Sequence, residues 1–313
     1  MLNDKLENEI SIRLIGNAHE ASNAMAAFCD EVATLVSGIR LIREKDDERQ
    51  APVIEVTKSI AYSGVPMGTE LAPFMELLSS VGRTDSAGIP ASDARLSAIT
   101  APAILTLYVS SMCPHCPSMV RQVYPLCLKN RNLKLSIIDG PAFPELAEAD
   151  NIKSLPTLIL DNDFRWTAQV DVDELVQIIG SRNPAELCVA SLKGMIQDGN
   201  AYDLSEMMVS EKKIFSAFVE LLVHPEFSVR LGAMAAIEDV AERAGSLAGQ
   251  VVVPLMDLFD HLDDQIKGDI LYVIGVCGDE TAVSFLTSVA AASQNDELKE
   301  AAEDALEAIK SSQ

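Results

Sequence analysis

The 313-residue sequence predicts two successive α/β units followed by an all-helical repeat region. Three observations lead there. A βαβ, then ββα, order of elements occurs twice within residues 1–183. The second copy carries two cysteines three residues apart, Cys113 and Cys116, in its first strand-to-helix loop. From Asn183 onward β-branched runs disappear and apolar residues recur at intervals of three and four. The boundaries expected are 1–91 for the first unit, 92–183 for the second and 184–313 for the helical part.

In the first unit, residues 9–15 alternate as a strand, and Ala18 to about Val36 has helical spacing through Met25, Phe28, Cys29, Val32 and Leu35. Gly38 closes that helix; Ile39–Arg43 and Pro52–Thr57 are strand candidates, and Leu71–Val81 is an amphipathic helix. The first strand-to-helix loop of this unit, Gly16-Asn17-Ala18-His19-Glu20-Ala21, contains no cysteine, so the unit cannot do dithiol chemistry. Residues 82–92 are rich in turn formers and read as a connection.

The second unit opens with a short helix around Ser92–Ile99. It continues with a strand before the Cys113-Pro114-His115-Cys116 turn and a helix running towards Leu128. Leu133–Ile138 reads as a strand, Pro144–Ala149 as a helical turn, Ser154–Leu160 and Arg165–Val170 as strands, and Val172–Ile179 as the last helix. Beyond it, Val229, Ile266 and Leu298 each follow an acidic or polar turn that opens a helix, at intervals of 37 and 32 residues. Such spacing suits stacked helical pairs, and this part resembles short HEAT repeats.

The 24 basic against 47 acidic residues give a net charge of −23, which argues against nucleic acid or an anionic membrane surface as partner. No stretch approaches the roughly 20 apolar residues of a membrane span. The first residues lack the basic end and apolar core of a secretory signal, so a cytoplasmic location is expected. In that compartment structural disulfides are disfavoured, and of the six cysteines only Cys113 and Cys116 have the spacing of a working pair.

A cysteine at the mouth of a helix sits among unpaired backbone N–H groups that favour thiolate over thiol. A thiolate is both nucleophile and leaving group in disulfide exchange, so Cys113 is expected to attack and Cys116, one helical turn on, to resolve. Half of a zinc site is the rival for this pair. There is no second Cys-x-x-Cys, and His19, His115, His224 and His261 show no ligand spacing. An iron–sulfur role would need a second copy of the chain. His115 could place a donor or partial positive charge beside Cys113, or simply be solvated. Cys29, Cys188, Cys277 and Cys127 read as packed side chains, and Met207, Met208 and Met234 as fillers of the repeat core.

Four segments in order resemble the tandem thioredoxin-fold module of alkyl hydroperoxide reductase flavoproteins and of archaeal protein disulfide oxidoreductases. They are Gly64-Val65-Pro66-Met67-Gly68-Thr69-Glu70, Ser111-Met112-Cys113-Pro114-His115-Cys116-Pro117, Ile138-Asp139-Gly140-Pro141-Ala142-Phe143 and Asn151-Ile152-Lys153-Ser154-Leu155-Pro156. The resemblance implies a cis Leu155-Pro156 bond facing the dithiol, with the Leu155 backbone open to an extended substrate strand. It also implies that Glu70 lies near the dithiol as proton acceptor for Cys116. Thioredoxins bury an aspartate in the preceding strand where this chain has Leu107. Glu70 has a second reading, as a charge complementing a helix N-terminus.

Two departures stand out. Nothing after residue 183 supplies the Gly-x-Gly-x-x-Gly turn of a flavoprotein, and only one unit carries the active pair, whereas the archaeal enzymes usually carry two. The expected function is thiol–disulfide oxidoreductase, with no cofactor beyond a redox-active Cys113–Cys116 disulfide. The expected partners are a thioredoxin-reductase-like donor and a disulfide-bearing client, for which the resemblance suggests a peroxiredoxin, with the repeats as partner-binding module. The alternative is a non-catalytic adaptor with a redox-sensing disulfide.

Overall fold

The computed structural model describes residues 8–82, 93–161 and 163–311. It divides into two compact units, Met1–Arg182 and Asn183–Gln313. The first is α/β, with strands β1 (Ile10–Gly16), β2 (Ile39–Lys45), β3 (Val53–Thr57), β4 (Ile60–Ser63), β5 (Ala103–Val109), β6 (Leu133–Asp139), β7 (Thr157–Leu160) and β8 (Phe164–Thr167). Its helices are α1 (Ala21–Leu35), α2 (Leu71–Val81), α3 (Asp93–Ser97), α4 (Cys116–Lys129), α5 (Pro144–Ala149) and α6 (Val172–Ser181).

One eight-stranded sheet runs through the unit in the order β2-β1-β3-β4-β6-β5-β7-β8. Each half repeats one pattern: its first two strands are parallel, and its third and fourth follow antiparallel. This is the thioredoxin order of strands, laid down twice. β4 pairs in parallel with β6, from Ile60 opposite Leu135 to Ser63 opposite Ile138, and so joins the halves by backbone hydrogen bonds. Short β4 follows β3 so closely that its alternation merges with the preceding strand. The Pro-led strand read from Ser154 pairs only from Thr157, and the one read to Val170 ends at Thr167. The connection read at 82–92 lies, apart from Gly82, outside the described residues.

Strand β5 is central and buried along most of its length. Leu107, at the position where thioredoxins hold an aspartate, is fully enclosed in the apolar core. Helix α4 lays Met119, Val120, Val123 and Leu126 into the same core, at the spacing an amphipathic helix requires.

The second unit is helical: α7 (Val189–Gln197), α8 (Ala201–Glu211), α9 (Ser216–Leu222), α10 (Phe227–Ala248), α11 (Val252–Leu258), α12 (Asp264–Cys277), α13 (Val283–Ala292) and α14 (Asp296–Ser311). Helices α8, α10, α12 and α14 stack side by side as one layer, with α7 against α9 and α13 against α14. The three marker residues occupy equivalent places. Val229, Ile266 and Leu298 are each buried in the first turn of α10, α12 and α14. Asp263 caps α12 by accepting from the Ile266 N–H at 2.9 Å, and Asn295 accepts from the Glu297 N–H at 3.0 Å before α14.

Neighbouring repeats are tied by Arg230 of α10, a residue only 1% exposed. Its Nε donates to Asp269 of α12 at 2.7 Å, and Nη1 donates to the His224 and Pro225 carbonyls at 2.8 and 3.0 Å. A guanidinium out of water is tolerable only with such partners, and truncating it leaves Asp269 and two carbonyls unmet. Arg230→Ala is expected to destabilise the helical unit by about 3 kcal/mol or more, and Arg230→Lys by less, as read from urea unfolding.

Candidate active site

Strand β5 delivers the chain at Val109 to a tight turn, closed by the Cys113 N–H donating to the Ser110 carbonyl at 3.0 Å. Helix α4 starts at Cys116, so Cys113 lies three residues ahead of the first helical position rather than within the first turn. Both cysteines are free thiols. Cys113 is half-buried and its Sγ faces the Leu155 carbonyl at 3.7 Å. Cys116 is 0% exposed. Burial pushes its thiol well above the ordinary range; the Cys113 sulfur raises it further, a backbone hydrogen bond with Ser110 opposes, and the negative charge of Glu70 adds to the rise. One sulfur is within reach of solvent and the other holds its proton.

The Leu155–Pro156 peptide is cis, with Pro156 buried at the start of β7 and Leu155 half-buried. Pro114 and His115 are exposed, and His115 immediately precedes α4.

The first half reaches this loop through a turn at Gly68–Glu70. The Thr69 N–H donates to the Ser111 carbonyl at 2.9 Å, and the Thr69 hydroxyl donates to the carbonyls of Cys113 at 2.9 Å and Ser111 at 3.1 Å. A Cβ on Gly68 would fall 2.3 Å from the Ser111 oxygen, at a φ of +56° that favours glycine. That close approach brings in Glu70, which is 2% exposed. Neither Glu70 carboxylate oxygen has a hydrogen-bond partner among the described residues, and the side chain makes no capping bond to α2. Desolvation pushes Glu70 up to about 7; the charge of Asp139 raises it and Arg121 pulls it down. Arg121 is itself held by Glu76 at 2.6 and 2.9 Å.

The structure therefore brings Cys113, Cys116, Leu155, Pro156 and Glu70 together. It adds two residues to which the sequence assigned no role. Thr69 stands in the first of the four resembling segments, but a threonine in a Gly-Thr-Glu turn has many uses and the segment alone gave it none. Asp139 stands in one of the four resembling segments, and its position ending β6, the strand paired with β5, was the available signal. Among the described residues no cluster of three or more His, Cys, Asp or Glu is placed to hold a metal ion. No helix among them is long and apolar enough to cross a membrane.

Fold and paired thiols together define a tandem thioredoxin-fold protein with its dithiol in the second half. No protein-family model matches the chain. It is 25% identical over 186 residues to a protein named NADH dehydrogenase from Bacillus subtilis, covering 58% of this chain and 36% of that one. It is 23% identical over 178 residues to an alkyl hydroperoxide reductase protein of Xanthomonas campestris, covering 55% and 34%. The chain thus spans about a third of the length of these curated relatives. Among solved structures, the N-terminal domain of alkylhydroperoxide reductase AhpF from Enterococcus faecalis superimposes with a TM-score of 0.50 at 22% identity, over 57% of this chain and 94% of that one. A protein disulfide oxidoreductase from Aeropyrum pernix gives 0.52 at 12% identity, over 57% and 89%. The fold expected from the four segments is the fold observed.

Two outcomes follow for the isolated protein. Iodoacetamide should label Cys113 far ahead of Cys116 in the native state, as read by peptide mass spectrometry. A carboxyl group whose proton is held more tightly folded than unfolded costs stability as pH rises through 4.5 towards 7. Glu70→Gln should therefore unfold at higher urea than wild type above pH 7, by up to about 3 kcal/mol, and show no gain at pH 4.

Proposed function

We propose that the protein is a thiol–disulfide oxidoreductase cycling Cys113 and Cys116 between dithiol and disulfide. The observation carrying this is the asymmetry of the pair: a half-buried Cys113 whose sulfur faces the Leu155 carbonyl, three residues before an enclosed Cys116, with a buried carboxylate brought in beside them by the Thr69 contacts. Cys113 attacks a client disulfide as thiolate, aided by the N-terminal end of α4, and a mixed disulfide forms with the client strand alongside Leu155-Pro156. Glu70 accepts the Cys116 proton. The Cys116 sulfur then displaces the client from Cys113, leaving the Cys113–Cys116 disulfide and a reduced client. His115 borders the entrance, and Pro114 shapes the turn between the cysteines.

In this reading residues 1–91 form a non-catalytic half that supplies Glu70, residues 92–183 form the catalytic half, and the HEAT-like residues 184–313 bind a partner. Curated relatives named as parts of an alkyl hydroperoxide reductase make a peroxiredoxin the first client to test. The dithiol receives its electrons from a thioredoxin-reductase-like protein in the cytoplasm.

Insulin reduction by dithiothreitol should be accelerated by wild type and not by Cys113→Ser. Equal rates would leave an adaptor with a redox-sensing disulfide as the better description. Cys116→Ser should accumulate mixed disulfides with clients, identifiable by mass spectrometry after non-reducing electrophoresis.

A further inference from the structure

The dithiol turn is bonded on both flanks of Cys113. On one side the Cys113 N–H donates to the Ser110 carbonyl at 3.0 Å, and the Met112 N–H donates to the Ser110 hydroxyl at 3.3 Å. On the other side the Cys113 carbonyl needs a donor. The helical partner of that oxygen would be the N–H four residues on, and residue 117 is a proline, which has none. The donor comes instead from the half without the dithiol. The Thr69 hydroxyl reaches the Cys113 carbonyl at 2.9 Å, its shortest contact, and lies 3.1 Å from the Ser111 carbonyl and 3.5 Å from that of Ser110. The Thr69 N–H, donating to Ser111 at 2.9 Å, keeps the hydroxyl in register with the turn.

We propose that Thr69 is a positioning residue for the attacking sulfur, its hydroxyl standing in for the N–H that Pro117 lacks. This rests on the oxidoreductase reading and names what orients its nucleophile. Each residue has two soft backbone dihedrals, and bonds to both its N–H and its carbonyl hold the peptide planes on either side. Cys113 is tied to Ser110 through the one and to Thr69 through the other. Its Cα–Cβ bond therefore has a fixed direction, and rotation about that bond is the freedom left to the sulfur. That rotation turns Sγ to the Leu155 carbonyl at 3.7 Å, the side on which a client strand lies in this reading. Disulfide exchange needs the entering sulfur aligned with the bond it breaks, so the orientation of Cys113 matters most for a client that is itself held in place. A small alkylating agent, free to approach from any open side, requires exposure alone.

That difference supplies the test, run on the full chain with Cys116→Ser so that the reaction stops at the mixed disulfide. The Cys113 thiolate attacks one sulfur of a disulfide-linked pentapeptide dimer. The peptide S–S bond breaks, a Cys113–peptide S–S bond forms, and the other peptide leaves as a thiolate that takes a proton from solvent. The rate constant, read at Cys113 by peptide mass spectrometry, is compared with that for iodoacetamide at the same pH. Thr69→Val keeps the shape and the backbone N–H and removes the hydroxyl. It should slow the peptide reaction about tenfold while leaving the iodoacetamide reaction within about twofold of wild type. Thr69→Ser, which restores a donor, should recover most of the peptide rate. Should the valine variant fail to fold, Thr69→Ala serves as the form without a hydroxyl. Equal peptide rates with and without the hydroxyl, an equal slowing of both reagents, or a serine variant as slow as the valine one would overturn the proposal and leave the oxidoreductase reading standing. A chain with Thr69 intact that is alkylated at Cys113 and yet forms no mixed disulfide with the peptide would instead refute that reading, and the role of Thr69 with it.

Discussion

The Ser111 carbonyl, accepting from both the backbone and the hydroxyl of Thr69, is the junction on which the site depends. Neither half is complete without the other at this point. The second half owns both sulfurs and the proline turn, but its central strand has leucine at the position that could have carried an internal base. The first half has no cysteines in its own loop and yet supplies a buried carboxylate whose charge acts on the second half's Cys116. Gly68 makes this possible, since any side chain there would drive the two loops apart. The parallel pairing of β4 with β6 fixes the same relation at the level of the sheet, joining the two copies in one continuous sheet.

The junction carries a cost. Glu70 is enclosed with both oxygens unpartnered among the described residues, and every tenfold gain in its affinity for the proton on folding is about 1.4 kcal/mol withheld from stability once it ionises. A carboxylate serving only to cap a helix would face its amides and solvent. Burial without partners is what raises this carboxyl group's hold on its proton, and it places an unsatisfied acid in the same region as a buried thiol. The two sulfurs are likewise unequal: Cys113 is half-buried and faces the Leu155 carbonyl, whereas Cys116 is enclosed and burial strengthens its hold on its proton.

The helical unit follows a different principle. Its stability comes from successive first turns burying equivalent residues, Val229, Ile266 and Leu298, and from Arg230 bridging one repeat to the next through Asp269. Its 23 acidic against 8 basic residues account for most of the chain's net charge, which concentrates the charge on the unit without the dithiol.

Local pattern was enough to recover much of this protein. Strand alternation, helical spacing and the Cys-x-x-Cys interval depend on residues close together in the chain, and these made the duplicated α/β order, the neighbouring cysteine pair and the change of character near Asn183 legible. Short β4, with four residues, gave too little alternation to be assigned on its own, and Cys113 proved to precede its helix because the turn after Ser110 consumes residues that spacing counts as helical. Contacts across tens of residues were decided by the tertiary structure alone. Thr69 clamping Ser111, Asp139 set opposite Val109, and Arg230 reaching Asp269 depend on how sheet pairing and helix stacking bring distant backbone together, and no periodicity within either partner encodes that distance.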